Sequence, residues 1–96
     1  MNNLLINQLY DVAKNYPEIQ SIMLFGSRVH GGNDELSDID IAVKAPRLSE
    51  MNWLLFAEQV ENKLDTLLKI DLVLYDQASE ALREQINQRH EVLYSA

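Results

Sequence analysis

The chain has no cysteine, only two prolines and three glycines, and no apolar run long enough to cross a bilayer. It also has little positive charge, because eight lysine and arginine residues stand against fifteen aspartate and glutamate residues, a formal net charge of -7. Counterion release onto lysine and arginine supplies most non-specific affinity for nucleic acid. With no basic run, a DNA or RNA partner is disfavoured, and a basic protein partner suits the chain better. No stretch has the pattern of a signal peptide, so we expect a cytoplasmic protein with no membrane partner.

The length limits the architecture. Ninety-six residues with 47% hydrophobic composition predict one small globular domain, residues 1–96, built around a single core. A chain of this size has no room for a second domain. Any further binding surface is therefore expected from a partner or from a second copy of the chain, in a homo- or hetero-oligomer.

One of the few glycines, Gly26, ends an apolar run of strand length. Residues 22–25 are uninterruptedly apolar, and the pair Gly26-Ser27 stops the run. A glycine lets backbone N–H groups approach a phosphate, and a serine hydroxyl adds a hydrogen bond. We predict a short helical turn at residues 28–30, with amides that would face an anion, and a chain reversal at residues 31–34. Alone, a Gly-Ser pair is far more often an ordinary turn.

A second predicted strand, residues 37–44, carries two aspartates. Its strict alternation places Asp38 and Asp40 on one face with Ala42, while the intervening apolar side chains point to the other face. Two adjacent carboxylates raise each other's pKa unless a cation lies between them. Mg²⁺ takes one or two carboxylates and completes its shell with water and substrate phosphate oxygens. The alternative is a solvated sheet face, which is the more common reason for such alternation.

A third aspartate lies in a third predicted strand, residues 70–75. Asp71 is the only charge in this apolar run. An isolated carboxylate there is costly unless it is paired, hydrogen-bonded or metal-bound. The alternative is an acid on an edge strand that faces water.

Helical spacing accounts for much of the rest. Residues 3–16 predict a packing helix that Pro17 stops, and residues 49–68 predict a long amphipathic helix with Ser49 as its N-cap. Trp53 and Phe56 lie on its apolar stripe, where aromatic residues usually belong to the core. A last helix follows a cap at residue 76 or 79, residues 92–94 predict a short edge strand, and His90 is most simply a surface residue.

The candidate site restricts the topology. Gly26 lies at the end of the first strand and Asp38 at the start of the second, so one ligand can touch both only if these strands are antiparallel neighbours. Asp71 meets the other aspartates only if the second and third strands run parallel, with residues 49–68 as the crossover. We therefore predict an α/β (α+β) fold with a small mixed sheet of three to four strands and the second strand inside.

Taken together, these motifs resemble a known family. The segment 26–31 (GSRVHG), the aspartates Asp38 and Asp40 two residues apart, and a later strand with Asp71 are similar to the nucleotidyltransferase superfamily that includes DNA polymerase beta. The likeness is greatest to its minimal nucleotidyltransferases of the MntA type and covers nearly the whole chain. It implies a polymerase beta-like fold, ATP as the nucleoside triphosphate donor, and two Mg²⁺ ions.

The resemblance also implies roles for individual residues. Asp38, Asp40 and Asp71 would be catalytic and would bind the metal ions, with Asp71 helping to deprotonate the acceptor hydroxyl. Gly26 and Ser27 would hold the β- and γ-phosphates.

His30 departs from the family pattern, because many relatives have arginine at that place. Arg28 would then grip the triphosphate, since arginine keeps its charge and histidine is only fractionally charged at neutral pH. The alternative is weak nucleotide affinity or lost activity. Gly26, Ser27, Arg28 and His30 are thus the predicted nucleotide-binding residues.

The resembled proteins usually act in toxin-antitoxin pairs with a HEPN ribonuclease, which they neutralise by adding AMP to a tyrosine hydroxyl. The resemblance therefore implies a nucleotidyltransferase that modifies a HEPN-type toxin. Two other functions stay open. One is a subunit that modifies a small hydroxyl compound, and the other is a non-enzymatic antitoxin that binds and occludes its toxin.

Overall fold

The computed structural model of the chain describes residues 1–26 and 38–96. These residues contain three helices, four strands and one 3-10 turn, and none of the helices among them is long and apolar enough to span a membrane. In chain order the elements are α1 (Asn3–Ala13), β1 (Ser21–Phe25), β2 (Ile39–Lys44), α2 (Glu50–Lys63), β3 (Ile70–Leu74), the 3-10 turn (Tyr75–Gln77), α3 (Glu80–Gln88) and β4 (Glu91–Ser95).

The four strands form one mixed sheet in the order β3-β2-β1-β4. β1 pairs antiparallel with both β2 and β4, and β2 pairs parallel with β3. The predicted fold class and topology are confirmed, with β2 inside the sheet and α2 forming the crossover that parallel strands require. The last strand is the predicted edge strand, and it runs one residue further at each end than predicted.

The main core lies on the face of the sheet covered by α1 and α2. Side chains at helical spacing on α1, such as Leu9 and Val12, meet Phe56 and Val60 of α2. The alternating apolar residues of the strands, among them Ile41, complete the cluster, and Phe56 and Ile41 are fully buried. Because helix and strand periodicities each present one apolar face, this packing follows directly from the sequence pattern.

The opposite face of the sheet is also covered. Ala42 and Phe25 are buried in a second cluster with Ile86 of α3, and Val73 and Tyr75 pack against it. The face that carries the aspartates is therefore solvated only beyond this cluster, near the ends of the strands. The alternative of a fully solvated face is wrong for β2.

Both long helices end earlier than predicted. α1 ends at Ala13, although Tyr16 remains buried beneath the following turn. α2 ends at Lys63 instead of residue 68, because Leu64 adopts an extended conformation with ψ 126°. The backbone amide of Asp65 donates a hydrogen bond to the side-chain oxygen of Gln8 in α1, and the amide of Leu68 donates one to the hydroxyl oxygen of Thr66. Such bonds compete with the helix, and they leave Leu67 on the surface instead of in the apolar stripe.

Smaller differences concern strand ends and caps. β2 begins at Ile39, and β3 ends at Leu74 because the 3-10 turn follows. Ser79 is the cap of α3, since its hydroxyl accepts a hydrogen bond of 3.1 Å from the amide of Leu82. His90 lies on the surface as expected, and its Nδ1 is 2.8 Å from the carbonyl oxygen of the residue four positions earlier. The helical turn predicted at residues 28–30 and the reversal at 31–34 lie outside the described residues.

We predict that Phe56→Ala lowers the free energy of unfolding by about 3–5 kcal/mol, because a fully buried ring leaves a cavity in the core. Leu54→Ala on the same helix is the control. Leu54 is 59% exposed, so its truncation should change stability by less than about 0.5 kcal/mol. Urea denaturation measures both, and equal losses for the two variants would contradict this packing of α2.

Candidate active site

Gly26 and the three aspartates meet at one end of the sheet. The antiparallel register places Phe25 opposite Asp40, so Gly26 follows β1 directly at this end. The parallel register places Asp40 opposite Asp71. Asp38 lies just before β2 at the same end. Four of the predicted site residues therefore come from three different elements to one place.

The carboxylates also share one face of the sheet. Asp38 and Asp40 are two residues apart and thus point the same way, and directly paired residues such as Asp40 and Asp71 extend their side chains to the same face. Asp40 is half-buried and Asp71 lies at the edge of the sheet. The second apolar cluster begins two residues further along each strand, at Ala42 and Val73.

Gly26 is required by its backbone and by its neighbour. Its φ is +82°, a conformation that other residues rarely adopt. A Cβ atom at this position would run into the Oδ2 atom of Asp40 and lie 3.3 Å from its Cγ atom. The backbone at the end of β1 therefore passes directly beside the Asp40 carboxylate, which only a glycine allows.

The surroundings of Asp40 disfavour its charged form. Burial raises the pKa of Asp40 above its ordinary value of 3.8, and the charges of Asp71 and Asp38 raise it further. The Lys69 ammonium acts in the opposite direction and lowers it. A carboxylate crowded by other carboxylates provides a site for an added cation.

Lys69 belongs to this group, and sequence reasoning missed it. Its Nζ atom lies 3.4 Å from Oδ1 of Asp71, and its backbone carbonyl accepts a hydrogen bond of 2.9 Å from the amide of Ile39. The signal that was available is its position two residues before Asp71 and directly before the predicted strand, which places both side chains on the same face where the chain is extended.

The donor chemistry of the site fits a hard divalent cation. All three acidic side chains offer carboxylate oxygens, which Mg²⁺ prefers, and the raised pKa of Asp40 reflects a negative charge that its surroundings do not compensate. Among residues 1–26 and 38–96, however, no three acidic or imidazole groups converge as closely as the ligands of one ion. One oxygen of Asp71 is directed instead to Lys69.

Three of the predicted nucleotide-binding residues lie outside the described part of the chain. Ser27, Arg28 and His30 belong to residues 27–37, so their contacts with phosphate stay predictions. Gly26 is the one predicted nucleotide-binding residue whose position beside the aspartates can be described.

Comparison with known proteins identifies related sequences and structures. Residues 7–96 match the family model of "Polymerase beta, Nucleotidyltransferase". A crystal structure of a toxin-antitoxin with AMP-PNP is 31% identical, with a TM-score of 0.74, and the match covers 95% of this chain and 73% of the other. No curated protein matches the sequence.

Two further structures show the same similarity. A rebuilt structure of a tri-AMPylated Shewanella oneidensis HEPN toxin in complex with MNT antitoxin is 31% identical, with a TM-score of 0.72, over 100% of this chain and 74% of the other. A toxin-antitoxin MntA-HepT structure is 30% identical, with a TM-score of 0.72, over 99% of this chain and 74% of the other.

We predict that Gly26→Ala destabilises the protein through both the positive φ and the contact with Asp40. The left-handed conformation alone costs about 1–2 kcal/mol for a residue with a Cβ atom. In an Asp40→Ala background the carboxylate is absent, so Gly26→Ala should cost less there than in the wild type. Thermal unfolding of the wild type, the two single variants and the double variant measures how strongly the two substitutions are coupled. Equal costs of Gly26→Ala in both backgrounds would show that Gly26 and Asp40 do not touch.

We predict that Asp40→Asn raises the melting temperature of the metal-free protein at pH 7. The folded pKa of Asp40 lies above 3.8, so its contribution to stability is most favourable below that pH and is lost as the pH rises through the folded pKa. Asparagine stays neutral at every pH, whereas Asp40 becomes neutral only when it is protonated. The difference in melting temperature between the variant and the wild type should therefore narrow towards pH 3. Melting in EDTA across this range tests the prediction.

Glu58→Gln is the control for that experiment, because it removes the same charge from an exposed position on α2. If both variants shift the melting temperature equally at every pH, the effect is one of net charge, and the local environment of Asp40 does not cause it.

Proposed function

The chain belongs to the polymerase beta-like nucleotidyltransferase family, and on that premise we propose that it transfers AMP from ATP to a hydroxyl group of a partner protein. The observation that carries the proposal is the register of β2 and β3, which brings Asp40 and Asp71 side by side next to Gly26. Nucleotidyl transfer needs acidic residues at the place where phosphates arrive, and this is the only described end of the sheet with that composition.

The proposed reaction assigns a task to each side chain. Asp38, Asp40 and Asp71 would hold two Mg²⁺ ions, which when bound neutralise the charge that develops on the phosphoryl oxygens. Asp71 would also accept the proton of the acceptor hydroxyl, whose oxygen attacks the α-phosphorus of ATP. The bond from the α-phosphorus to the bridging oxygen breaks, and pyrophosphate leaves. Gly26, Ser27 and Arg28 would bind the β- and γ-phosphates, with a smaller contribution from His30.

A HEPN-type toxin is the proposed partner and acceptor. One relative at 31% identity is an MNT antitoxin in complex with a tri-AMPylated HEPN toxin, and another toxin-antitoxin structure contains AMP-PNP. The net charge of -7 favours a protein partner with basic character over nucleic acid. Asp71 lies on the edge strand β3, where a side chain of another protein can approach from outside.

A small hydroxyl compound is less well supported as the acceptor. A cavity of about 430 Å³ does lie near the start of β2, lined by Ile39, Leu5 and Leu68 among others. Ile39 points to the main core, on the opposite face from Asp40 and Asp71. A compound bound in that cavity would be separated by the sheet from the carboxylates.

We predict that incubation with ATP, Mg²⁺ and a HEPN-type toxin that binds this chain adds about 329 Da, the mass of one AMP group, to a Tyr, Ser or Thr of that toxin. Asp71→Asn should lower the rate of transfer at least about 100-fold, because it removes both a metal ligand and the proton acceptor. Mass spectrometry of both proteins measures the product.

Glu58→Gln, an exposed substitution on α2, should keep full activity. Label found only on RNA or on a small metabolite would overturn the protein acceptor. If the wild type and Asp71→Asn both bind and inhibit the toxin without changing its mass, the result would support the non-enzymatic antitoxin instead.

A further inference from the structure

Four charged side chains occupy one corner of the sheet. Two of them, Asp38 and Asp40, are two residues apart, and so are Lys69 and Asp71. Residues two apart in an extended segment point to the same face, and the pairing of the two strands makes it the same face for all four. Asp40 is registered opposite Asp71, and the hydrogen bond of 2.9 Å from the amide of Ile39 to the carbonyl of Lys69 belongs to the first pair of this ladder, Ile39 with Ile70. Lys69 and Asp38 each directly precede the first paired residue of their strands, and Lys69 is the one cation that the described part of the chain places beside the three carboxylates.

The Lys69 side chain is held only by its charge. Its Nζ atom is 3.4 Å from Oδ1 of Asp71, and 71% of the side chain is exposed to solvent. An exposed ion pair of this kind is weak, because water solvates both groups and salt screens them. The ammonium can therefore leave Asp71 at little cost, while the backbone of Lys69 remains fixed in the sheet.

We propose that Lys69 is a displaceable counter-ion of the acidic corner, the group formed by Asp38, Asp40 and Asp71. Its ammonium binds the Asp71 carboxylate in the metal-free protein and releases it when a divalent cation binds. This inference rests on the proposed function, because it takes Asp71 as a metal ligand. Lys69 is then a positioning residue. It weakens metal binding by competing for one carboxylate oxygen and by repelling the arriving cation, and it reduces the repulsion among the aspartates before the metal arrives.

The contact with Lys69 occupies one of the two carboxylate oxygens of Asp71. With an oxygen of Asp71 on the ammonium, the three acidic groups do not converge within the described part of the chain. A cation held between Asp71 and Asp40, its registered neighbour, would compete with the ammonium for that oxygen.

The test compares Lys69→Gln with Lys63→Gln, using Mn²⁺ as the probe. Lys63 is a matched control, because it is also exposed and its Nζ atom lies 4.0 Å from Asp11, away from the acidic corner. Electron paramagnetic resonance of free Mn²⁺ gives the dissociation constant without any enzymatic reaction. Lys69→Gln should bind Mn²⁺ about three- to ten-fold more tightly than the wild type at low salt, whereas Lys63→Gln should stay within about two-fold.

Thermal unfolding provides the second readout. In EDTA, Lys69→Gln should melt below Lys63→Gln because the aspartates lose their counter-ion, and saturating Mn²⁺ should remove or reverse that difference. Lys69→Arg, which keeps the charge, should bind Mn²⁺ like the wild type.

The outcomes separate this inference from the proposed function. If the wild type binds Mn²⁺ and Asp71→Asn abolishes binding, but Lys69→Gln and Lys63→Gln have the same affinity, the counter-ion role is wrong and the metal site stands. If the wild type does not bind Mn²⁺ at all, the metal-dependent function fails and the displacement of Lys69 fails with it.

Discussion

The parallel pairing of β2 with β3 is the constraint on which the rest of the structure depends. Asp40 and Asp71 can lie side by side only if their strands run in the same direction, and a parallel connection needs a crossover that spans the sheet. The helix α2 provides this crossover and covers one face of the sheet with Phe56 and Val60. The acidic corner and the main core are therefore two consequences of one topological choice.

The pairing of the strands also determines where along β2 the buried core ends and the proposed site begins. Along β2 the side chain of Ala42 is fully buried against Ile86. Asp40, two residues earlier and on the same face, is half-buried. Partial burial is the largest cause of the raised pKa of Asp40, and the apolar cluster that contains Ile86 begins two residues further along β2. On the other side the described strands end, and Asp38, directly before β2, is exposed.

The sequence pattern was sufficient for the strands and for the topology, because alternation and the requirement that three aspartates meet leave few arrangements. It failed where a contact between distant residues decides the local structure. The end of α2 at Lys63 depends on a hydrogen bond that the amide of Asp65 donates to the side-chain oxygen of Gln8 in α1, 57 residues away in sequence, which no helical periodicity reveals. Lys69 was overlooked for a different reason. Its spacing from Asp71 is visible in the sequence, but the carboxylates of the neighbouring strand β2 come beside it only once β2 and β3 are paired.

The acidic corner illustrates how a small protein can keep a binding site at the cost of stability. Three carboxylates on one face repel each other, and among residues 1–26 and 38–96 the one cation beside them is the exposed and weakly held ammonium of Lys69. Pairing them more tightly, for example with an arginine that binds two oxygens, would reduce the repulsion in the metal-free protein but would also occupy the oxygens that a cation needs. A ligand that binds only the folded state stabilises it in proportion to the logarithm of its concentration over its dissociation constant. The repulsion that Asp40 experiences without metal is thus part of the free energy that becomes available when a cation binds, and Gly26 keeps that carboxylate within reach of the backbone where the phosphates are proposed to bind.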